Sequence, residues 1–437
     1  MTLATSTLRP ERASDSFKPL NKSDASYKLY IDMPHQRFRY LENLLRLSLK
    51  ASPIVGLMGQ RQTGKTTLAA RISKDYLTLD DEETLELALR TPKNFLEGRK
   101  SPTSVDECQQ SAPLFPALKE HVRKNPGYGQ FLLTGSVRFT SVETIKESLT
   151  GRMIELELLP LCLTELHQRP LTDPRAFLKA KNPIPLLTAH FQKNAFKSPD
   201  LMDFLKKGGL PGICFLRSDT LRVRKTRTQL KTILDRDLRM VTRTTLDYLT
   251  LKTFLEEIAL QQGDPFDLSK AARGARIALN SARKLLSGLE STYLIRSILK
   301  TGETQGRLIY LEDQGTASFL LRERGISTEQ MRVADLNRLL FQQLYAQLNY
   351  GRDGGGGSLT HFRLKNGALI DFVMALPDTG MLAYSVGTGS TASPQQIGSA
   401  RSFLARYPAA RVLLLHQGQQ FREVAPGVIE CPFSSVL

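Results

Sequence analysis

The sequence predicts an α/β fold in which a mainly parallel sheet, covered on both faces by helices, carries a phosphate-binding loop. Three observations predict it. The stretch GQRQTGKTTLA, Gly59–Ala69, fits the spacing G-x-x-x-x-G-K-[ST] without a mismatch. Strand-length apolar runs alternate with helical spacing on either side of it. An acidic pair, Asp106-Glu107, follows at the distance where a P-loop NTPase keeps its second acidic element.

The loop comes first because the chemistry depends on it. Ile54-Val55-Gly56-Leu57-Met58 is an apolar run suited to a buried strand, and Thr67-Leu68-Ala69-Ala70-Arg71-Ile72 suits the first turns of a helix. Strand, loop and helix in that order are the setting the motif requires. Gly59 and Gly64 let the backbone turn tightly, so that N–H groups from Gln60, Arg61, Gln62, Thr63 and Thr67 can face phosphate oxygens. Lys65 would reach the β- and γ-phosphates of ATP, and Thr66 would offer its hydroxyl to Mg²⁺.

The remaining elements follow in chain order. HQRFRYLENLLRLSLK reads as a helix leading into the loop strand. Further strands are expected at Tyr76–Leu79, Phe131–Thr134 and Met153–Leu156, with a helix at Leu114–Val122 between them. Asp106 would hold Mg²⁺ through water and Glu107 would polarise the attacking water. The residues before them, Arg99 to Ser104, are polar and include Pro102, a poor composition for a central strand, so an acidic turn is the competing reading. Gly208-Gly209-Leu210-Pro211-Gly212 is a turn cluster, after which helices dominate to about Ser297. Asp267–Ala272 and Asn280–Leu286 read as two short helices with a small-residue link, either a winged-helix-like unit or plain helical packing. The final unit reads as a helix at Leu336–Leu348, a Gly-rich connection at Gly351–Ser358 expected to be mobile, strands in HFRL and LIDFVMAL, and a last helix and strand.

Charge bounds the partners. The chain of 437 residues has 60 Lys and Arg against 43 Asp and Glu, a net charge of +17, which favours a polyanion such as DNA or RNA over a merely solvated basic surface. The segment LRVRKTRTQLKTILDRDLRMVTR reads as an amphipathic helix whose basic face offers Arg222, Arg224, Lys225, Arg227 and Lys231 to nucleic acid. No apolar run is long enough to span a membrane, and residues 1–28 read as a flexible tail without a secretory signal. The scattered cysteines Cys108, Cys162, Cys214 and Cys431 have neither metal-ligand nor disulfide spacing, which fits a reducing cytoplasm.

In the same order along the chain, GQRQTGKTTLA, VDECQQSAPLFPALKEHV, FLLTGS, SLTGRMIELELLPLCLTEL, GGLPG and ILDRDL resemble the bacterial and archaeal AAA-type ATPases that carry a C-terminal domain of unknown function. HFRLKNGALIDFVMAL is similar to that appended domain. The resemblance implies an AAA-type ATPase domain at 29–200, a helical, winged-helix-like domain at 201–330 and a restriction-endonuclease-like α/β domain at 331–437. It supports Asp106-Glu107 as the acidic pair, and it places Thr134 and Ser136 at the sensor position beside the γ-phosphate. Arg152 and Arg236 match arginines of the family, and either could act as an arginine finger, in cis or across a homo-oligomer interface, or form a structural salt bridge. Arg61 also matches. Asp371 stands where the nuclease fold has its metal-binding Asp, but Ser385 and Gly387 occupy the Glu and Lys positions and Asn337 that of a helix Glu. Nuclease activity is therefore not expected, and Asp371 reads as structural.

Two functions compete on this basis. One is an Mg²⁺-dependent ATPase working on nucleic acid, as an oligomeric motor on branched or single-stranded DNA. The other is a nucleotide-dependent switch that binds a protein partner, of a defence or toxin-antitoxin type, with little turnover.

Overall fold

The computed structural model describes residues 37–139, 149, 151–302, 306–326, 331–351, 356–365 and 367–437. The expected tail, the centre of the Gly-rich connection (352–355) and part of the SLTGR segment lie outside them. Phe38–Leu437 forms one compact unit.

Its first sheet is built from β1 (Ile54–Met58), β2 (Asp75–Thr78), β3 (Thr103–Asp106), β4 (Phe131–Gly135) and β5 (Met153–Glu157), all five parallel, in the order β2-β3-β4-β1-β5. β1, β3 and β4 are buried throughout, as strands covered on both faces must be. The helices Lys65–Ile72 and Leu114–Lys124 help to cover it, Leu68 and Ala69 packing with Val55 and Leu57, and Leu114 and Leu118 with Ile54 and Val105. β3 is a strand despite its polar start. Pro102 lies just before it, so no ladder N–H is lost, and the Pro102 carbonyl accepts from Lys74 N at 2.9 Å. The Ser104 hydroxyl is bonded to that of Ser73, and Thr103 Oγ1 donates to Lys100 O at 3.2 Å. The expected helix ahead of β1 is shorter than its pattern. It runs over Leu41–Leu49, with Phe38–Tyr40 irregular before it.

The middle of the chain packs around a long helix, Asp219–Thr232, which continues through a π-helical turn at Ile233–Asp237 into Leu238–Val241. Leu230, Leu234 and Leu238 from this element meet Phe254, Leu285 and Leu289 in one core. That core also holds the helices Tyr248–Ala259, Leu268–Gly274 and Leu279–Ser291, followed directly by the antiparallel pair β6 (Ile295–Leu299) and β7 (Arg307–Leu311). Asp247 and Asp267 cap the first two of these helices, accepting from Thr250 N at 2.8 Å and Lys270 N at 3.0 Å. Three helices followed by a hairpin is the order along this stretch.

The last sheet takes β8 (Ser358–Arg363), β9 (Leu369–Leu376), β10 (Gly380–Val386), β11 (Arg411–His416), β12 (Arg422–Ala425) and β13 (Val428–Pro432) in the order β12-β13-β11-β10-β9-β8, mixed in direction. The helix Pro394–Arg406 covers one face through Ala400 and Phe403. The other face packs on the helix Val333–Tyr350 and on side chains from further back, including Leu163, Phe177, Leu187 and Phe204. The expected boundary near 200 is thus not a packing boundary. Helices between 163 and 205 share the core of the C-terminal sheet.

The turn cluster Gly208–Gly212 joins these layers. Gly208 has φ +71°, Gly209 N donates to Asp313 Oδ1 at 2.7 Å, and Leu161 N donates to Gly209 O at 2.7 Å. A Cβ on Gly209 would lie 2.0 Å from Leu161 O. Gly209→Ala is expected to destabilise the protein by about 1–3 kcal/mol, because backbone on both sides must move. Urea unfolding of the variant with an unchanged midpoint would contradict this.

Candidate functional site

The site lies where β1, β3 and β4 end, since the phosphate loop leaves β1 at its carboxyl end. Gly59 has φ +148° and Gly64 φ +96°, and Gln62 between them is also left-handed at φ +67°. A Cβ on Gly59 would meet Leu158 O at 2.3 Å, so the position admits no side chain. Successive left-handed turns of this kind form a concave backbone surface suited to an anion. Lys65 is buried at the start of the following helix, and its Nζ donates to Gly59 O at 2.8 Å and Gln60 O at 3.0 Å. Burial draws the Lys65 ammonium down from its ordinary pKa, against the pull of Glu107 and Asp106. An anion in the loop would relieve that penalty.

The two acids end up in different hands. Asp106, at the end of β3, accepts from Thr66 Oγ1 at 2.7 Å and Tyr76 OH at 2.6 Å, and also from Thr134 Oγ1. Burial and the Asp106 carboxylate push the Tyr76 phenol well above its ordinary range, which keeps it a donor. Thr66 and Asp106 are oxygen ligands of the kind Mg²⁺ prefers, and they converge on one spot beside the loop. Among the described residues no group of three His, Cys, Asp or Glu side chains could hold a metal by itself. This pair therefore suits an ion that takes its other ligands from phosphate and water.

Glu107 follows with φ +53°, a left-handed turn that swings its side chain out of the strand line. Its N–H donates to Thr134 Oγ1 at 3.3 Å, and its Oε2 accepts from Gln109 Nε2 and, at 3.4 Å, from Ser136 Oγ. Thr134 and Ser136, expected beside the γ-phosphate, thus bond to the acidic pair.

The two candidate finger arginines part company. Arg152 immediately precedes β5, whose first residue pairs with Ile54 at the start of β1. It therefore lies at the amino ends of the strands, roughly 13 Å of strand away from the loop. A role for Arg152 in its own chain's site is accordingly corrected. Arg236 lies in the π-helical turn and pairs with Asp80 at 3.3 Å, both half-exposed. Asp80 follows β2 and also accepts from Gln110 Nε2 at 2.8 Å, so Arg236 stands at the carboxyl edge of the sheet.

Arg61, in the loop itself, is tied to the same turn. Its Nε donates to buried Asp237 at 3.1 Å, and its carbonyl accepts from Gln229 Nε2 at 3.0 Å. Sequence reasoning misses Asp237, and it misses a second anchor. Arg39 is buried, with Nη1 donating to Thr63 O at 2.5 Å, Nη2 to Leu159 O at 2.6 Å and Nε to Glu165 Oε1 at 3.0 Å. Its partners lie 24, 120 and 126 residues away, beyond any local pattern.

Outside this site, the basic helix is partly committed. Arg222 pairs with Asp219 at 3.0 Å, and Arg227 with Glu323 at 3.1 Å, while Arg224, Lys225 and Lys231 are exposed. In the C-terminal sheet both oxygens of buried Asp371 are engaged, Oδ1 by Asn337 Nδ2 at 3.0 Å and Oδ2 by Val386 N at 2.8 Å. Gln396 Nε2 reaches Ser385 O at 3.3 Å and would crowd any Cβ on Gly387. This cluster is closed on itself.

Residues 51–167 match the family described as an AAA domain, and residues 198–322 match a domain of unknown function that falls on the middle, helical part. Uncharacterised proteins of Mycobacterium bovis and Mycobacterium tuberculosis are each 25% identical over 90% of this chain and 83% of their own length. Among solved structures, the Walker-type ATPase of Pyrococcus abyssi is 14% identical over 64% of this chain and 94% of that one, with a TM-score of 0.39. DnaA of Aquifex aeolicus is 12% identical over 57% and 85%, with a TM-score of 0.25.

Proposed function

We propose that this chain, whose residues 51–167 form an AAA-type P-loop domain, binds ATP with Mg²⁺, hydrolyses it and uses the cycle on nucleic acid. The observation that carries the ATPase reading is the convergence of Thr66, Asp106 and Glu107 at the carboxyl ends of β1 and β3. Lys65 would hold the β- and γ-phosphates against the loop, and Thr66 and Asp106 would hold the ion. The ion supplies charge neutralisation on the phosphates. Glu107 orients and deprotonates the attacking water, held on its working side by Gln109 and Ser136. Arg236 at the edge of the site is the finger candidate for the same chain, and Arg152 could serve only a neighbouring subunit.

The net charge of +17 and the three-helix-and-hairpin order support a nucleic-acid partner over a protein one. The deciding experiment is ATP turnover by the full chain with and without single-stranded, duplex and four-way-junction DNA, beside Lys65→Ala. Turnover should require Lys65 and rise severalfold with one of the DNAs. Lys65-dependent turnover indifferent to every DNA would favour the protein-binding switch.

A further inference from the structure

The helices Leu268–Gly274 and Leu279–Ser291 are joined by a tight turn in which Arg276 is left-handed at φ +55°. Their inward sides are settled. Ala271, Ala272, Ala282, Leu285, Leu286 and Leu289 are buried in the middle core. The outward side of the second helix presents Asn280, Arg283, Lys284 and Ser287, at spacings of three, four and seven, as one exposed stripe. Arg273 and Arg276 stand exposed beside it.

Three features separate this face from ordinary solvated surface. The only acid on the second helix, Glu290, is turned away to the Ser297 hydroxyl of β6. Among the described ion pairs none engages Arg273, Arg276, Arg283 or Lys284, whereas Asp219 and Glu323 neutralise Arg222 and Arg227 on the longer basic helix. Among the described residues, the only side-chain bond on the stripe joins Arg283 Nη1 to Asn280 Oδ1 at 3.1 Å, within the stripe itself. The residue types also suit base edges, since Arg reads guanine and Asn reads adenine in the major groove.

We propose that the stripe Asn280–Ser287 enters the major groove of duplex DNA, with Arg273 and Arg276 on the flanking phosphates. The proposal rests on the nucleic-acid reading and names the surface that carries it. The occupant is B-form duplex, because the deep, narrow major groove of RNA duplex admits no helix. The basic helix Asp219–Thr232 is then a secondary contact.

The test is binding of the full chain to a fluorescent DNA duplex across a salt series, for the unchanged protein, Arg283→Ala/Lys284→Ala and Arg224→Ala/Lys225→Ala. The exposed positions leave the fold and the Lys65-dependent turnover intact, checked by melting temperature and ATP hydrolysis without DNA. The first double variant should bind tenfold or more weakly across the series, with the slope of log K against log salt little changed, because it removes contacts in the groove and leaves the phosphate contacts of Arg273 and Arg276 in place. The second should lose less. If the unchanged chain binds duplex and Arg283→Ala/Lys284→Ala binds equally well, this face does not touch the DNA, while the nucleic-acid reading stands. A loss confined to Arg224→Ala/Lys225→Ala would also overturn it, as would equally tight binding of duplex RNA. If the unchanged chain binds no duplex even at low salt, the proposal and the nucleic-acid reading fall together unless single-stranded or junction DNA is bound, which spares the latter.

Discussion

Glu107→Gln should lower ATP turnover by about 10²–10⁴-fold, the range for loss of a positioned general base. Binding should survive, because the amide keeps the shape and the phosphate loop is untouched. The left-handed backbone at Glu107 and its N–H bond to Thr134 fix where the side chain starts, and Gln109 and Ser136 fix where its carboxylate ends. A glutamine there can still accept from Ser136 but cannot take a proton from water. Single-turnover hydrolysis beside nucleotide affinity reads the two effects separately. Turnover within about threefold of the unchanged protein would remove Glu107 from the role.

Glu165→Ala should cost about 3–5 kcal/mol of stability, because it strands a buried guanidinium. Arg39 and Glu165 have side chains only 5% and 0% exposed, so neither charge can turn to water when its partner goes. The damage should reach the site as well. Arg39 is the donor that fastens the Thr63 carbonyl of the phosphate loop to Leu159. Denaturant unfolding gives the cost, and nucleotide affinity of the remaining folded protein gives the reach. The Arg236–Asp80 pair is the internal contrast, since its side chains are 44% and 50% exposed and breaking it should cost under about 1 kcal/mol. Equal costs for the two pairs would show that burial does not decide here.

Much of the candidate site is legible in the sequence because it is local. A loop motif and a dipeptide each carry their own geometry over a few residues, and both land at the carboxyl ends of the sheet, after β1 and β3 with β4 between them. Even the doubtful strand before Asp106 forms, because its hydroxyls find partners in Ser73 and Lys100 that its composition could not reveal. What escapes is everything that depends on distance along the chain. Arg39 and Asp237 sit in unremarkable surroundings, and their partners lie more than a hundred residues off for Glu165 and Arg61 alike. Arg152 misleads for the same reason. A residue just before a strand and one just after it share a sheet but not an end, and only the register of β5 on β1 tells which. The core boundary at 163 likewise depends on a sheet formed by the end of the chain.

The bond from Arg61 to Asp237 has a thermodynamic consequence. One guanidinium belongs at once to the loop that meets phosphate and to the π-turn that continues the middle core. A nucleotide that changes the free energy of that contact therefore acts on the middle helices, and linkage is reciprocal. Whatever binds those helices and shifts the π-turn must change ATP affinity by the same factor that ATP changes its own.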